Sequence, residues 1–163
     1  AEKHIIDSIA AAGLFHGDQA IMDLGSGGGF PGIPLKIMVP SLNLLLLDAS
    51  AKKVSFLKQV IRLLHLDAID AVHGRAEDLQ KDSRYAGQFD AVICRAFSDL
   101  TVFTRLALPF INSSGCLVAM KGSAVQSEVT AQLNADFDIH ITAYELPFEK
   151  AGRSLLTARP KRG

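Results

Sequence analysis

The chain alternates short apolar segments with amphipathic segments over most of its length. Five apolar runs predict strands: AIMDL (20–24), LNLLLLD (42–48), AIDAVH (68–73), FDAVICRA (89–96) and GCLVAMKG (115–122). Most of these runs are apolar on both faces, which is typical of strands in a sheet that is covered on both sides.

The segments around these runs predict helices, at 4–14, 31–38, 51–66, 99–111 and 124–135. Two later segments, 137–146 and 153–159, alternate in polarity and predict an antiparallel pair of strands. Alternation of strand and helix favours a parallel sheet with helices packed against it. We therefore predict an α/β fold with a mostly parallel sheet, helices on both faces and a C-terminal antiparallel hairpin.

Length and composition fit one globular domain. The chain has 163 residues, of which 48 % are apolar and 21 % are charged. We interpret 1–163 as a single domain and 1–16 as an N-terminal helical segment, the remainder of a longer N-terminal region. No apolar run has the roughly 18 residues of a membrane span. Cys94 and Cys116 are interpreted as buried thiols, and we expect a monomeric cytoplasmic protein without a bound metal.

Charge is balanced over the whole chain but is unevenly placed. The formal net charge is zero, yet residues 149–163 hold five basic side chains against Glu149 alone. This basic end could contact a polyanion such as RNA, or it could be a solvated tail.

The stretch IMDLGSGGGFPGIPLK (21–36) joins the first predicted strand to the next helix. Bare backbone at a strand's carboxyl end lets a ligand approach closely, at the edge where doubly wound sheets bind ligands. Gly27, Gly29 and Gly32 fit the G-x-G-x-x-G pattern of dinucleotide sites, which is weak alone. Asp23 would repel a pyrophosphate but suits a cofactor with an ammonium group, such as S-adenosylmethionine. Alternatively, Asp23 holds the loop through backbone N–H groups.

The next two strand ends carry further candidates. Asp48 follows the glycines by roughly 20 residues, where an acid accepts hydrogen bonds from ribose hydroxyls. The alternative is a cap on the following helix, for which Ser50 and Asp48 could both serve. In GRAED (74–78), Ala76 and Glu77 could contact an adenine ring, or the segment could be a solvated acidic loop.

Arg95 and Lys121 end the fourth and fifth predicted strands. A guanidinium at Arg95 could bind a cofactor carboxylate or a target phosphate, or it could pair with Asp90 or Asp99. Lys121 could bind phosphate or be a solvated surface lysine. Phe97 could stack on a flipped guanine or belong to the core.

Taken together, these segments resemble the RsmG (GidB) family of small-subunit ribosomal RNA guanine-N7 methyltransferases. The matching pieces lie in order over nearly the whole chain: HIIDSI (4–9), MDLGSGGGFPGIPLKI (22–37), LLDASAKKVSFLKQV (46–60), GRAEDL (74–79), FDAVICRAF (89–97), MKG (120–122) and RSLL (153–156). The resemblance implies a class I (Rossmann-like) methyltransferase fold. It also implies S-adenosyl-L-methionine as cofactor and a guanine N7 of 16S ribosomal RNA as target.

The resemblance also implies cofactor contacts, which add to the candidates found from the glycine pattern and the strand ends. The full set of expected cofactor-binding residues is Asp23, Gly25, Gly27, Gly29, Phe30, Asp48, Ala76, Glu77 and Arg95. Arg95 and Lys121 are the candidate catalytic residues, through positioning.

The expected function is methyl transfer to guanine N7 in small-subunit RNA, either free or in the assembled subunit. Guanine N7 has a free lone pair, so its attack on a methyl group needs no general base. Two alternatives are an NAD-dependent oxidoreductase of Rossmann type and a non-catalytic RNA-binding module. Asp23 argues against the first, and the intact glycines with Asp48 argue against the second.

Overall fold

The computed structural model describes residues 2–147 and 149–163. The strands are β1 (Ala20–Leu24), β2 (Asn43–Asp48), β3 (Ile69–His73), β4 (Phe89–Arg95), β5 (Ile111–Gly122), β6 (Phe137–Leu146) and β7 (Glu149–Pro160). The helices are α1 (Glu2–Ala12), α2 (Gly32–Met38), α3 (Ala51–Leu63), α4 (Ala76–Leu79), α5 (Leu100–Ala107) and α6 (Ala131–Asp136).

The described strands form one seven-stranded sheet in the order β3-β2-β1-β4-β5-β7-β6. Strands β1 to β5 are parallel, whereas β7 runs antiparallel to both of its neighbours, β5 and β6. The predicted parallel sheet with a C-terminal antiparallel hairpin is therefore confirmed. The strand order reverses at β1, and doubly wound sheets bind ligands at such a switch point.

Helices cover both faces of the sheet, as the apolar runs predicted. Successive side chains of a strand point to opposite faces. In β1, Ile21 packs in a cluster with Ala11 of α1 and Leu35 of α2, whereas Met22 packs in another with Phe103 of α5. The side chains of β1 are thus buried from both sides, which explains why its sequence lacks polar alternation.

The prediction of one helix over 124–135 is wrong. A 3₁₀ helix spans Ser123–Glu128, and α6 starts only at Ala131. The Thr130 side chain accepts a hydrogen bond from Leu133 N and so caps a new helix. The predicted 99–111 helix also ends early, at Ala107, because a short 3₁₀ turn with proline follows.

Two smaller features complete the fold. Cys94 and Cys116 are free and buried, as predicted. Within residues 2–147 and 149–163, none of the helices has the length and apolarity that crossing a membrane requires.

Candidate functional site

The glycine loop, residues 25–31 between β1 and α2, is tied down at both ends by buried acids. Asp23 Oδ2 accepts a hydrogen bond from Gly32 N at 2.9 Å, and Asp48 Oδ2 accepts one from Gly27 N at 2.8 Å. The loop backbone is therefore positioned by side chains from the ends of two adjacent strands.

In the structure Asp23 holds the glycine loop through a backbone N–H group, which was the alternative to binding the cofactor. The residue is fully buried, and its Oδ1 has no hydrogen-bond partner among the described residues. Burial raises the pKa of Asp23 to about 7, although the Gly32 N–H and the positive charge of Arg95 act in the opposite direction. Because Asp23 has no exposed surface, its visible role is to hold the start of α2.

Asp48 is 8 % exposed and faces a cleft. Besides its bond to Gly27, its Oδ1 accepts a hydrogen bond from Ser50 N at 2.9 Å. Each carboxylate oxygen keeps a second acceptor position for a ligand. Of the two predicted cap residues, Ser50 caps α3, because its side chain accepts from Lys53 N, whereas Asp48 accepts only the Ser50 N–H at this helix start.

The first cleft lies where β1, β2 and β3 end and has ≈ 440 Å³ of empty space. It brings together four of the predicted cofactor residues, Gly25, Asp48, Ala76 and Glu77, although they come from three strand ends. Ala76 is buried at the start of α4, and Glu77 is exposed at the rim. Phe97 closes one side of this cleft.

A second cleft, with ≈ 680 Å³ of empty space, holds the two candidate catalytic residues, Arg95 and Lys121. Phe97 lines this cleft as well as the first and therefore separates the two. Ala96, just before it, has a left-handed φ of 59°, which is uncommon for a residue other than glycine. A Cβ on Gly25 would lie 3.8 Å from the Phe97 ring, so this aromatic wall stands beside the glycine loop.

Lys121 supports the turn that carries Phe97. Its side chain is only 8 % exposed, and its Nζ lies 2.8 Å from Glu128 Oε2. The same Nζ donates a hydrogen bond to Phe97 O at 2.6 Å. The alternative of a solvated surface lysine is therefore wrong.

Arg95 is held by α1. Its Nε lies 3.3 Å from Asp7 Oδ2, and its Nη2 contacts Nδ1 of His4. The suggested partners Asp90 and Asp99 are wrong. Asp90 accepts a hydrogen bond from the backbone at the start of β1, and Asp99 caps α5.

Asp7 and Tyr144 were not among the residues predicted from the sequence. The Tyr144 hydroxyl donates a hydrogen bond to Asp7 Oδ1, across 137 residues of sequence. One signal was available, because His4 and Asp7 are three residues apart and therefore share a helix face. No local pattern marks Tyr144 as their partner.

Phe30 lies apart from the first cleft. Phe30 and Gly29 line an apolar groove with residues of α1, α2 and α3. The ring of Phe30 contacts that of His4, with centroids 5.5 Å apart. The predicted cofactor residues are thus divided: four line the first cleft, Arg95 lines the second, and Gly29 and Phe30 line the apolar groove. Asp23 is buried in β1, and Gly27 is bound to Asp48 in the loop. Across the described part of the chain, His, Cys, Asp and Glu form no group of three placed to hold a metal ion.

The structure also divides the basic C-terminal end. Arg153 pairs in register with Gly122 and lines the second cleft. Arg159 lies at the other end of β7, and Arg162 lies two residues beyond that end. Their guanidinium groups donate to backbone carbonyls of the segment that begins β5. At about 3.4 Å per residue, these two ends are roughly 20 Å apart.

Solved structures of methyltransferases share this fold. The chain superposes on a precorrin-6y C5,15-methyltransferase from Geobacter metallireducens GS-15 with a TM-score of 0.71 and 11 % identity, over 94 % of this chain and 87 % of that one. It superposes on TYW2 from M. jannaschii, solved in complex with AdoMet, with a TM-score of 0.70 and 14 % identity, over 97 % and 75 %. The predicted class I, Rossmann-like methyltransferase fold is confirmed.

Curated relatives are more similar in sequence. The chain is 44 % identical over 146 residues to the ribosomal RNA small subunit methyltransferase G of Geotalea uraniireducens (strain Rf4), covering 90 % of this chain and 66 % of the relative. It is 46 % identical over 129 residues to that of Geobacter sp. (strain M21), covering 79 % and 58 %. The chain thus spans less than two thirds of the length of either relative. The model of the GidB family, rRNA small subunit methyltransferase G, matches residues 1–156. The chain therefore belongs to the GidB family.

Proposed function

We propose that the protein transfers a methyl group from S-adenosylmethionine to N7 of a guanine in small-subunit (16S) ribosomal RNA. The observation that carries the proposal is the first cleft, where Gly25, Asp48, Ala76 and Glu77 meet from three strand ends. The name of the relatives, ribosomal RNA small subunit methyltransferase G, supports the choice of acceptor.

The residues of this chain fit the cofactor. Free acceptor positions on Asp48 suit the ribose hydroxyls. The exposed Gly25 leaves its backbone open to the ligand, and Ala76 with Glu77 borders the space for the adenine. When bound, S-adenosylmethionine supplies an electrophilic methyl group on a sulfonium.

Arg95 is placed for the cofactor's amino-acid carboxylate. Parallel pairing sets Asp23 opposite Ile93, so the carboxyl ends of β1 and β4, which lead to Gly25 and Arg95, lie side by side. A guanidinium binds a carboxylate through two parallel N–H groups. The ion pair of Arg95 with Asp7 also offsets its positive charge, which favours a site where the methylated purine becomes cationic.

Methyl transfer to N7 requires positioning rather than proton removal. The N7 lone pair attacks directly, so orientation and electrostatics supply the rate enhancement. Phe97, fixed by Lys121 at the wall between the clefts, is placed to align the purine in the second cleft. Arg153, which lines the same cleft, offers a phosphate contact. We further propose that the protein acts as a monomer in the cytoplasm, on free RNA or on the assembled small subunit.

The test combines ligand binding with product analysis. Differential scanning should show stabilisation by S-adenosylhomocysteine and none by NAD. Small-subunit RNA and assembled subunits lacking the modification should then gain 7-methylguanosine, detected by mass spectrometry of nucleoside digests. Stabilisation by NAD alone would favour the oxidoreductase. Binding of S-adenosylhomocysteine with neither RNA substrate methylated would favour the non-catalytic module.

A further inference from the structure

Asp7 is a buried carboxylate on a helix that lies at the surface. It is only 5 % exposed, and burying a charged group is unfavourable unless partners compensate. Its partners are the Arg95 guanidinium and the Tyr144 hydroxyl. Burial and the neighbouring Asp7 raise the pKa of Tyr144 well above its usual range, so its hydroxyl remains a donor.

His4 completes the contacts that α1 makes with Arg95. The positive charge of Arg95 lowers the pKa of His4, which favours a neutral imidazole whose Nδ1 accepts a hydrogen bond. Asp7 therefore contacts Nε of the guanidinium while His4 contacts Nη2. The Nη1 group has no hydrogen bond to another described residue.

These contacts fix Arg95 at the glycine loop. The neighbouring strands β1 and β4 end at Leu24 and Arg95, so Arg95 lies at the edge of the sheet where the glycine loop starts. The His4 ring also contacts Phe30 at the far end of the loop. With ribose at Asp48 and adenine at Ala76, the amino-acid part of a bound cofactor would have to lie toward Phe97, which borders both clefts, and this guanidinium would hold its carboxylate.

We infer that Asp7 is a positioning residue, which orients Arg95 to receive the carboxylate of the cofactor's amino-acid part. The inference rests on the proposed function. An arginine side chain has many rotamers, and only some of them present two N–H groups to a carboxylate. A guanidinium held beforehand loses less freedom on binding, so a larger part of its interaction appears as affinity. Tyr144 fixes Asp7 in turn, because it occupies the second carboxylate oxygen.

The experiment compares two ligands that share a nucleoside. S-adenosylhomocysteine has the amino-acid part, whereas 5′-methylthioadenosine lacks it. Dissociation constants are measured by calorimetry for the parent protein, Asp7→Asn and Asp82→Asn. Asp82 is the matched control, because it pairs with Arg84 at 2.6 Å outside both clefts.

Asp7→Asn should weaken S-adenosylhomocysteine binding about 10-fold or more, the size of a lost charge-assisted contact. Its affinity for 5′-methylthioadenosine should stay within about two-fold, and Asp82→Asn should change neither. Equal weakening of both ligands would make Asp7 a general support of the fold and overturn the inference. Unchanged S-adenosylhomocysteine affinity would also overturn it.

A double-mutant cycle separates action through Arg95 from action elsewhere. Arg95→Lys should weaken S-adenosylhomocysteine binding, and adding Asp7→Asn should weaken it little further. Additive losses would contradict the inference. If Asp7→Asn does not fold, Tyr144→Phe takes its place and should weaken S-adenosylhomocysteine selectively. A parent protein that binds neither ligand would refute the proposed function itself, whereas a parent that binds both but shows no selective loss refutes only the role of Asp7.

Discussion

Replacing Gly32 with alanine tests how tightly the start of α2 is packed against Asp23, the buried acid that holds the glycine loop. A Cβ at this position would lie 2.2 Å from Leu46 Cδ2 and 2.8 Å from Asp23 Oδ2. Leu46 is fully buried in the core, and Asp23 is fully buried as well. Neither side chain can therefore move aside into solvent.

Two effects of opposite sign compete in Gly32→Ala. Alanine is favoured over glycine inside a helix by at most about 1 kcal/mol. Overpacking a core site costs about 1–3 kcal/mol, and here it also displaces the acceptor of the Gly32 N–H. A disturbed hydrogen bond costs about 0.5–1.5 kcal/mol more, which offsets the helix preference of alanine. We therefore expect a net loss of about 1–3 kcal/mol. For a chain of this size, that corresponds to a decrease in Tm of roughly 2–12 °C.

Gly28→Ala is the matched control in the same loop. Its Cβ would meet only the Phe30 ring, at 3.8 Å, so its stability should stay within about 0.5 kcal/mol of the parent. Urea unfolding of both variants gives the comparison. A Gly32→Ala protein as stable as Gly28→Ala would refute the claim that this backbone is closely packed.

Three further predictions concern buried polar groups. The pKa of Asp23 rises from its ordinary 3.8 to about 7 in the fold. The free energy of unfolding should therefore fall between about pH 4 and pH 7, because Asp23 ionises more easily in the unfolded chain. Asp23→Asn should abolish that part of the decrease, as measured by denaturant titrations at several pH values. Lys36→Met should lose about 1–3 kcal/mol of stability in urea unfolding, because two backbone carbonyls lose the buried ammonium. Asp48→Ala should weaken S-adenosylhomocysteine binding by about 1–3 kcal/mol in calorimetry, since the ribose donors lose their acceptor.

Each of these has a contrary outcome. If the free energy of unfolding changed with pH in the same way in the parent and in Asp23→Asn, Asp23 would not titrate between about pH 4 and pH 7. Lys58→Met removes an exposed lysine, and a loss equal to that of Lys36→Met would exclude the carbonyl contacts as the cause. Unchanged affinity in Asp48→Ala would remove Asp48 from the ribose role.

The order of strands and helices could be predicted because a sheet buried on both faces requires apolar runs. The predicted bounds 20–24 and 137–146 coincide with β1 and β6. The break between the 3₁₀ helix and α6 could not be predicted in the same way. Apolar spacing continues across it, and the break depends on the Thr130 cap.

The first cleft could be predicted for a similar reason, because parallel strands bring their carboxyl ends to one edge of the sheet. The sequence did not show that Arg95 belongs to a different cleft from Asp48. That division depends on Phe97 and on contacts from α1 and β6. Arg95 and His4 are 91 residues apart in the sequence, and no periodicity in the sequence predicts a contact between residues so far apart.

The two acids beneath the glycine loop have a consequence for the kinetics of recognition. A backbone segment that is already held by hydrogen bonds loses little conformational entropy when a nucleoside binds to it. Association should therefore follow a single fast phase. Truncating Asp23 or Asp48 should slow association, because the loop would then sample several conformations before it reached the one that binds. Asp23 and Asp48 should thus determine the association rate as well as the affinity, although Asp23 has no exposed surface that a ligand could contact.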